Sequence, residues 1–431
     1  MSCTHIIGAG LAGLAGAVAL AAAGRQVRLY DAGPAAGGRC RSYFDRLLDC
    51  RIDNGNHLLL SGNTAAMAYL DRIGARATMT GPGRAMFPFM DLASGERWTL
   101  APGPGRIPWW VFSASRRVPG TALADYLVLQ RLRRASPVAT VTETLDRGGA
   151  LYRRLLEPLA VAALNTPPNE ALAALMTPVV SETLMRGGNA CVPLVPREGL
   201  SESLIDPALA WLRARGGTLR TGCRIAALRT VADRVAALET ADGPVDLAPG
   251  DDVVLAVPPW IAAELLPGLS TPDAFQAILN VHFRVDIAPD GDIGRTGFVG
   301  LVGGTAEWVF VKPGIVSVTV SAANALVDLS AEAIAARVWP DVRACLSLEG
   351  AMPPVRVVKE RRATFAATAA QECRRPPART RLANLALAGD WTATGLPATI
   401  EGAIRSGRTA AEALLGAPAV DMRRRQTAEP R

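Results

Sequence analysis

The 431-residue sequence predicts an α/β fold in which a nucleotide-binding domain is interleaved with an α+β domain. Three observations predict it. The apolar run Thr4 to Ile7 leads into Gly8-x-Gly10-x-x-Gly13 and an Ala- and Leu-rich stretch, which reads as strand, tight turn and helix. A second run, Gln26 to Asp31, alternates Val27 and Leu29 and ends on an acid. Further apolar strands, Asp252 to Val257 and Leu385 to Ala388, come far downstream, so one sheet is assembled from pieces separated by chain of different texture.

The glycines let the backbone turn sharply and approach a pyrophosphate, and the helix after them offers its first N–H groups. Asp31 ends its strand where an acid can bond ribose hydroxyls. Gly37-Gly38-Arg39 selects the dinucleotide: by fold-level analogy, glutathione-reductase-like flavoproteins bring such a segment against the FAD pyrophosphate. The nucleotide domain is therefore expected to be Rossmann-like and of the glutathione-reductase type.

Composition narrows the class. With 49% apolar and 20% charged residues the chain is globular, and its length favours two domains. The net charge of +7 suits nucleic acid, an anionic membrane or nothing specific, and sparse aromatics without a nucleic-acid motif disfavour the first. Seven cysteines without a Cys-x-x-Cys pair, and three histidines, argue against a metal site and fit a reducing cytoplasm. The apolar run Ile6 to Gly24 lacks a basic leader, and its glycines are at nucleotide-binding spacing, so it reads as βα rather than as a signal or span.

Along the chain, Leu58 to Gly74 reads as a helix, 84–100 as strands, and 121–165 as helical. Trp109-Trp110-Val111-Phe112 with Arg116-Arg117 is either an interfacial membrane patch or a core edge beside a solvated basic helix. Gly199 to Gly217 predicts a helix and Thr218 to Leu228 a strand pair; by analogy with two-domain flavoproteins such a return segment lies near the adenine, with Arg224 and Ile225 as the contacts. Residues 273–375 predict a mostly antiparallel sheet, Ile278 to Val285, Thr296 to Gly303, Glu307 to Val311, Ile315 to Ala322 and Val355 to Arg361, with one helix near 331–348. Gly389-Asp390 ends the last strand, where the acid can bond ribitol hydroxyls, and Pro397 opens the last helix, whose N-terminus favours an anion.

The chain resembles the flavin amine oxidase and phytoene desaturase superfamily and, within it, the bacterial hydroxysqualene dehydroxylases. The resemblance is carried by Gly8-Ala9-Gly10-Leu11-Ala12-Gly13, Gly37-Gly38-Arg39, Asp53-Asn54-Gly55-Asn56-His57, Gly389-Asp390-Trp391-Thr392, and Gly395 to Ala403. Leu164-Asn165-Thr166-Pro167-Pro168 and Arg362 to Ala366 match in between. Asn56 stands where the family often has Gln, Asp31 where Glu is common, and Ala35-Ala36 where an arginine often precedes the Gly-Gly-Arg segment.

The resemblance implies FAD held by Gly8 to Gly13, Asp31, Ala32, Gly37, Gly38, Arg39, Asn56, His57, Leu58, Ile225, Val257, Gly389, Asp390, Pro397, Ala398, Thr399 and Ile400. It implies residues 1–75, 199–265 and 378–418 as the FAD-binding domain, 76–198 and 266–377 as the substrate domain with candidate membrane-facing helices, and 419–431 as a basic tail. It also implies reductive removal of the hydroxyl of hydroxysqualene to give squalene, in squalene and hopanoid synthesis. A carotenoid-type desaturase and a non-catalytic flavin-binding lipid escort are the alternatives. His57 is the expected proton donor, against a role as a mere buttress of the cofactor, and His282 and Trp308 are expected to line the substrate tunnel. The lipid substrate implies a cytoplasmic protein held peripherally on the inner face of the membrane and in transient contact with other squalene-pathway enzymes. No metal and no nucleic acid are expected.

Overall fold

A computed structural model describes residues 2–416, so the predicted basic tail 419–431 lies outside the described residues. The described residues form two compact units, one of residues 2–38, 204–273 and 373–416, the other of residues 39–203 and 274–372.

The first unit is built on a five-stranded sheet in the order Thr218–Arg220, Gln26–Tyr30, Cys3–Ile7, Asp252–Leu255, Leu385–Leu387, with every pairing parallel. A parallel sheet covered on both faces needs apolar strands, and Cys3–Ile7 is buried throughout. The helices Leu11–Ala22 and Ile400–Leu414 approach closely because both lack side chains at the contact. A Cβ on Gly407 would lie 2.2 Å from the Ala12 carbonyl oxygen, and one on Gly16 3.2 Å from that of Gly407. The expected strand pair at 218–228 is corrected here. Thr218–Arg220 joins the parallel sheet, whereas Ile225–Val231 opens an antiparallel meander with Arg234–Thr240 and Gly243–Asp246. The turn between them is bonded to the loop after the second strand, through Gly222 N to Gly33 O (2.8 Å) and Cys223 N to Asp31 O (2.8 Å), which separates the two strands into different sheets.

The second unit centres on a seven-stranded sheet: Val355–Phe365, Phe275–Phe283, Ile315–Val320, Trp308–Lys312, Phe298–Val302, Phe87–Asp91, Arg97–Leu100. It is antiparallel except where Phe298–Val302 runs parallel to Phe87–Asp91. Strand alternation divides its side chains between two faces. Leu279, Val281, Phe283, Val309, Val316 and Val318 form a dry face against Ile334, Val338, Trp339 and Val342 of the helix Ala331–Leu346. Each such buried side chain stabilises by roughly 1.5–3 kcal/mol. The partners of alternate parity, among them Asn280, His282, Trp308, Phe310, Lys312, Ser317 and Thr319, belong to the other face.

Residues 39–75, expected with the nucleotide domain, cluster instead with this second unit. Long-range pairing explains it. Leu59–Leu60 is drawn into a ladder with Pro193–Pro196, which also delays the expected helix until Thr64–Arg72. The helical reading of 121–165 resolves into 3₁₀ turns over Leu123–Arg134 and short helices at Val141–Leu145 and Glu157–Leu164, joined by the π-helical stretch Tyr152–Leu156.

Candidate functional site

In the first unit the glycine turn makes a cradle. Gly8 has φ +102°, and a Cβ there would lie 2.4 Å from the Ala256 carbonyl oxygen, so only glycine fits. A Cβ on Gly13 would lie 2.0 Å from the Gly8 carbonyl oxygen, whereas at Gly10 nothing stands within 4 Å. The open space at Gly10 therefore sits at the start of the helix Leu11–Ala22, where unpaired N–H groups favour phosphate. Asp31 braces the turn, its Oδ2 accepting from Ala9 N (2.7 Å) and its Oδ1 from Gly33 N (2.8 Å). Each carboxylate oxygen has a second lone pair with which it can accept a ribose hydroxyl. Gly37 N donates to Ala9 O (2.9 Å), which places Gly37 and Gly38 beside the cradle.

The closing loop of this unit is held just as firmly. Gly389 N donates to Ser406 Oγ (2.8 Å), and Trp391 Nε1 donates to Val257 O (3.0 Å). Arg375 clamps the loop from inside, donating to the carbonyls of Thr392 (3.0 Å) and Asp390 (3.1 Å) and to Thr394 Oγ1 (2.9 Å). Sequence reasoning missed Arg375, which stands in an Arg-Arg-Pro-Pro run with no spacing signal. Thr399 caps the last helix by accepting from Gly402 N (3.0 Å), and Glu401 pairs with Arg405 of the same helix (2.8 Å). Gly8 to Gly13, Asp31, Ala32, Gly37, Gly38, Ile225, Val257, Gly389, Asp390 and Pro397 to Ile400 thus belong to one unit. An open glycine turn, a helix N-terminus and a braced acid fit a dinucleotide such as FAD.

Arg39, Asn56, His57 and Leu58 belong to the second unit, where Arg39 donates to the Ala363 carbonyl. Asn56 is tied to the sheet: its N–H donates to Asn280 Oδ1 (3.3 Å) and its Nδ2 to Thr319 Oγ1 (3.1 Å). Asn280 Nδ2 returns a bond to Asn54 O (3.3 Å). Asp53, buried, accepts from Lys312 Nζ (2.8 Å), Ser42 Oγ (2.6 Å) and Leu200 N (2.9 Å). The Asp53 to His57 segment is therefore fastened to the face of the sheet opposite its dry core.

The two histidines expected at the site, His57 and His282, both lie in the second unit in surroundings that lower their pKa. Burial pushes His57 down to about 4, with the Arg39 guanidinium adding to the effect and the Asp53 carboxylate opposing it. The ring keeps some accessible surface, but protein surrounds it closely enough to govern its charge. A lowered pKa favours the neutral ring at neutral pH. His282 is 1% exposed and bonds Ser317 Oγ through Nδ1 (2.7 Å), so it offers almost no surface to a substrate. Burial pushes it, too, down to about 4.

Trp308 is partly exposed and belongs to an aromatic wall. Its ring centroid lies 5.6 Å from Phe89 edge-on and 6.0 Å from Phe298, and Phe89 stacks on Trp98 at 5.6 Å. Next to it in sequence is Glu307, an acid to which sequence reasoning gave no role. Its Oε2 accepts from Ser321 N (2.8 Å), and burial pushes the carboxyl up to about 7 despite that bond. The available signal was an acid at a strand start between Ala306 and Trp308.

Comparison with known proteins agrees with this geometry. The family described as flavin containing amine oxidoreductase matches residues 11–285 and 309–415. The chain is 49% identical to the hydroxysqualene dehydroxylase of Rhodopseudomonas palustris over 96% of this chain and 98% of that one. It is 47% identical to that of Zymomonas mobilis over 96% and 99%. A probable zeta-carotene desaturase of Synechococcus elongatus is 40% identical over 16% of this chain and 14% of its own length. Among solved structures, an oxidoreductase from Methanosarcina mazei superposes with a TM-score of 0.73 at 16% identity, covering 95% of this chain and all of that one (100%). A putative protoporphyrinogen oxidase from Exiguobacterium superposes at 0.66 with 18% identity, covering 96% and 98%. The structural likenesses establish the fold; the cradle, the full-length identities and the family match together establish that this chain belongs to the flavin containing amine oxidoreductases and, among them, to the hydroxysqualene dehydroxylase family.

Proposed function

We propose that the chain is an FAD-dependent oxidoreductase that converts hydroxysqualene to squalene. The observation that carries this reading is identity of 47–49% along nearly the whole length of hydroxysqualene dehydroxylases. An aromatic wall around Trp308 and, in the same unit, the Glu307 carboxyl that burial pushes up to about 7 support it chemically.

FAD, when bound and reduced, supplies the hydride and its electron pair. The chain's own residues do the rest. Glu307, protonated in part at neutral pH, donates a proton to the allylic hydroxyl, so that the C–O bond breaks and water leaves. The electron-poor allylic carbons are stabilised by the faces of neighbouring rings, of which Trp308 is the nearest in sequence to Glu307. His57, neutral, serves position and exclusion of water, and Arg375 holds the Gly389 to Thr394 loop in shape.

Anaerobic single turnover tests the reading. Chemically reduced enzyme mixed with hydroxysqualene should regain its oxidised flavin spectrum and release one squalene per flavin. Bleaching of the oxidised enzyme by phytoene, without response to hydroxysqualene, would instead establish the desaturase that the short zeta-carotene desaturase match suggests. Silence toward both would leave the lipid escort. We further infer a peripheral protein at the inner face of the cytoplasmic membrane, in transient contact with the enzymes before and after it. No helix among the described residues is long and apolar enough to cross a membrane.

A further inference from the structure

The second unit carries an exposed apolar ridge that neither the fold nor the proposed chemistry uses. Ile107, Trp109, Phe112, Leu123 and Leu127 are 59%, 69%, 62%, 39% and 61% exposed, five large apolar side chains within 21 residues. Exposed apolar residues are ordinary when scattered singly; a cluster is not.

Local geometry holds them outward. Trp109–Phe112 is a 3₁₀ turn, in which positions three apart share one edge, and the Trp109 and Phe112 rings accordingly lie 5.8 Å apart. Trp110 points the other way. It packs edge-on against Tyr126 at 5.4 Å, and Tyr126 Oη accepts from Val118 N (2.9 Å). Val111 and Leu132 are buried beneath. The ridge thus has a packed inner side and presents its outer residues as a fixed surface.

Its charge is one-sided. Residues 101–140 contain Arg106, Arg116, Arg117, Arg131, Arg133 and Arg134 against one acid, Asp125. That acid is turned to its own backbone, accepting from Ala122 N (2.8 Å). Behind Leu127 lies a cavity of about 360 Å³, walled by Leu127, Val128, Leu145 and Leu156 and bordered by Arg131 and Arg147. Tryptophan and leucine beside arginine match the layering of a bilayer interface, where apolar groups reach the acyl boundary and guanidinium groups meet phosphate.

We propose that the 107–134 ridge docks the protein on an anionic bilayer, with Trp109, Phe112, Leu123 and Leu127 entering the headgroup layer and the exposed Arg116, Arg131 and Arg134 meeting lipid phosphates. The proposal deepens the reading above that the substrate is a lipid. It gives that lipid a surface through which to be taken up.

The test is flotation of the full-length FAD-loaded protein with vesicles of phosphatidylcholine alone or mixed with phosphatidylglycerol, beside turnover of detergent-dispersed hydroxysqualene. The wild type should float with the mixed vesicles, less at high salt, and far less with phosphatidylcholine alone. Trp109→Ser/Phe112→Ser should lose flotation by about tenfold or more while keeping its flavin and its turnover in detergent. Arg116→Gln/Arg134→Gln should lose the preference for phosphatidylglycerol, and Val231→Ser, an exposed apolar change elsewhere, should float as wild type. Wild-type flotation by the tryptophan–phenylalanine variant, or no flotation by the wild type with either vesicle, overturns the proposal. Flotation as described with no turnover of hydroxysqualene overturns the functional reading and leaves the docking surface standing.

Discussion

The nucleotide cradle of the first unit and the working face of the sheet in the second are built by opposite means. The cradle is made mostly of backbone: Gly8, Gly10 and Gly13 matter because of what they lack, and its bond from Ala9 N to Asp31 Oδ2 at 2.7 Å spans 22 residues. The sheet face is made of side chains brought from afar. Asn56 meets Thr319, and Asp53 meets Lys312, across more than 250 residues of chain. A backbone site tolerates almost no added atom but accepts many neighbours. A side-chain site tolerates shape changes and fails when one partner of a pair is lost.

That contrast can be broken from either side. The largest effect is expected at Glu307 in the sheet unit. Glu307→Gln should slow reoxidation of the reduced enzyme by hydroxysqualene about 10²-fold or more, and the wild-type decline in rate above about pH 7 should disappear from the variant. A variant with an unchanged rate and the same pH limb removes Glu307 from the chemistry.

Next comes Gly8→Ala, where a Cβ 2.4 Å from a carbonyl at φ +102° should cost about 3 kcal/mol or more and leave a purified protein with little flavin absorbance. Asp53→Asn should cost less, about 2 kcal/mol in urea unfolding, because the Lys312 side chain it deserts is 23% exposed and water compensates part of the loss. Equal losses in the two variants would mean that the cradle is no stricter than the face.

Titration sharpens the comparison further, since its strongly shifted carboxyl and imidazole groups, Glu307, His57 and His282, all lie in the second unit. Glu307 has a folded value of about 7, above its ordinary 4.5, so its contribution is present below pH 4.5 and lost as pH rises through 7. Relative to Glu307→Gln, the wild type should therefore lose up to roughly 3 kcal/mol between pH 4.5 and 8. His57 runs the other way. Its folded value of about 4 lies below 6.5, so the stability it contributes is present above pH 6.5 and lost as pH falls toward 4. The smallest effect on catalysis is expected from His57→Gln, less than tenfold on the single-turnover rate with flavin retained. A loss of about 10³-fold there would restore His57 as the acid.

Legibility followed the same division. The strands Cys3–Ile7, Gln26–Tyr30 and Asp252–Leu255 and their parallel sheet were readable because glycine spacing and apolar runs are local properties. The final helix was readable from its apolar face, though it begins at Ile400 behind the Thr399 cap, so that Pro397 precedes it instead of opening its first turn. Arg375 and Glu307 were not, because an arginine or glutamate acquires its role from burial and partners that no spacing encodes. Trp109 and Trp110 looked alike as neighbours in one aromatic run. The 3₁₀ turn sends the first to solvent and the second against Tyr126.

By itself, then, the sequence determined the nucleotide fingerprint, the interleaving of two kinds of chain and the family, since these rest on backbone requirements and on runs of residues in order. Tertiary structure alone decided that burial lowers the pKa of His57 and His282, that Lys312 is paired to Asp53, and that residues 39–75 pack with the second unit. The physical reason is that charge state, pairing and unit membership depend on desolvation and on neighbours distant in the chain, and those exist only once the sheets have formed.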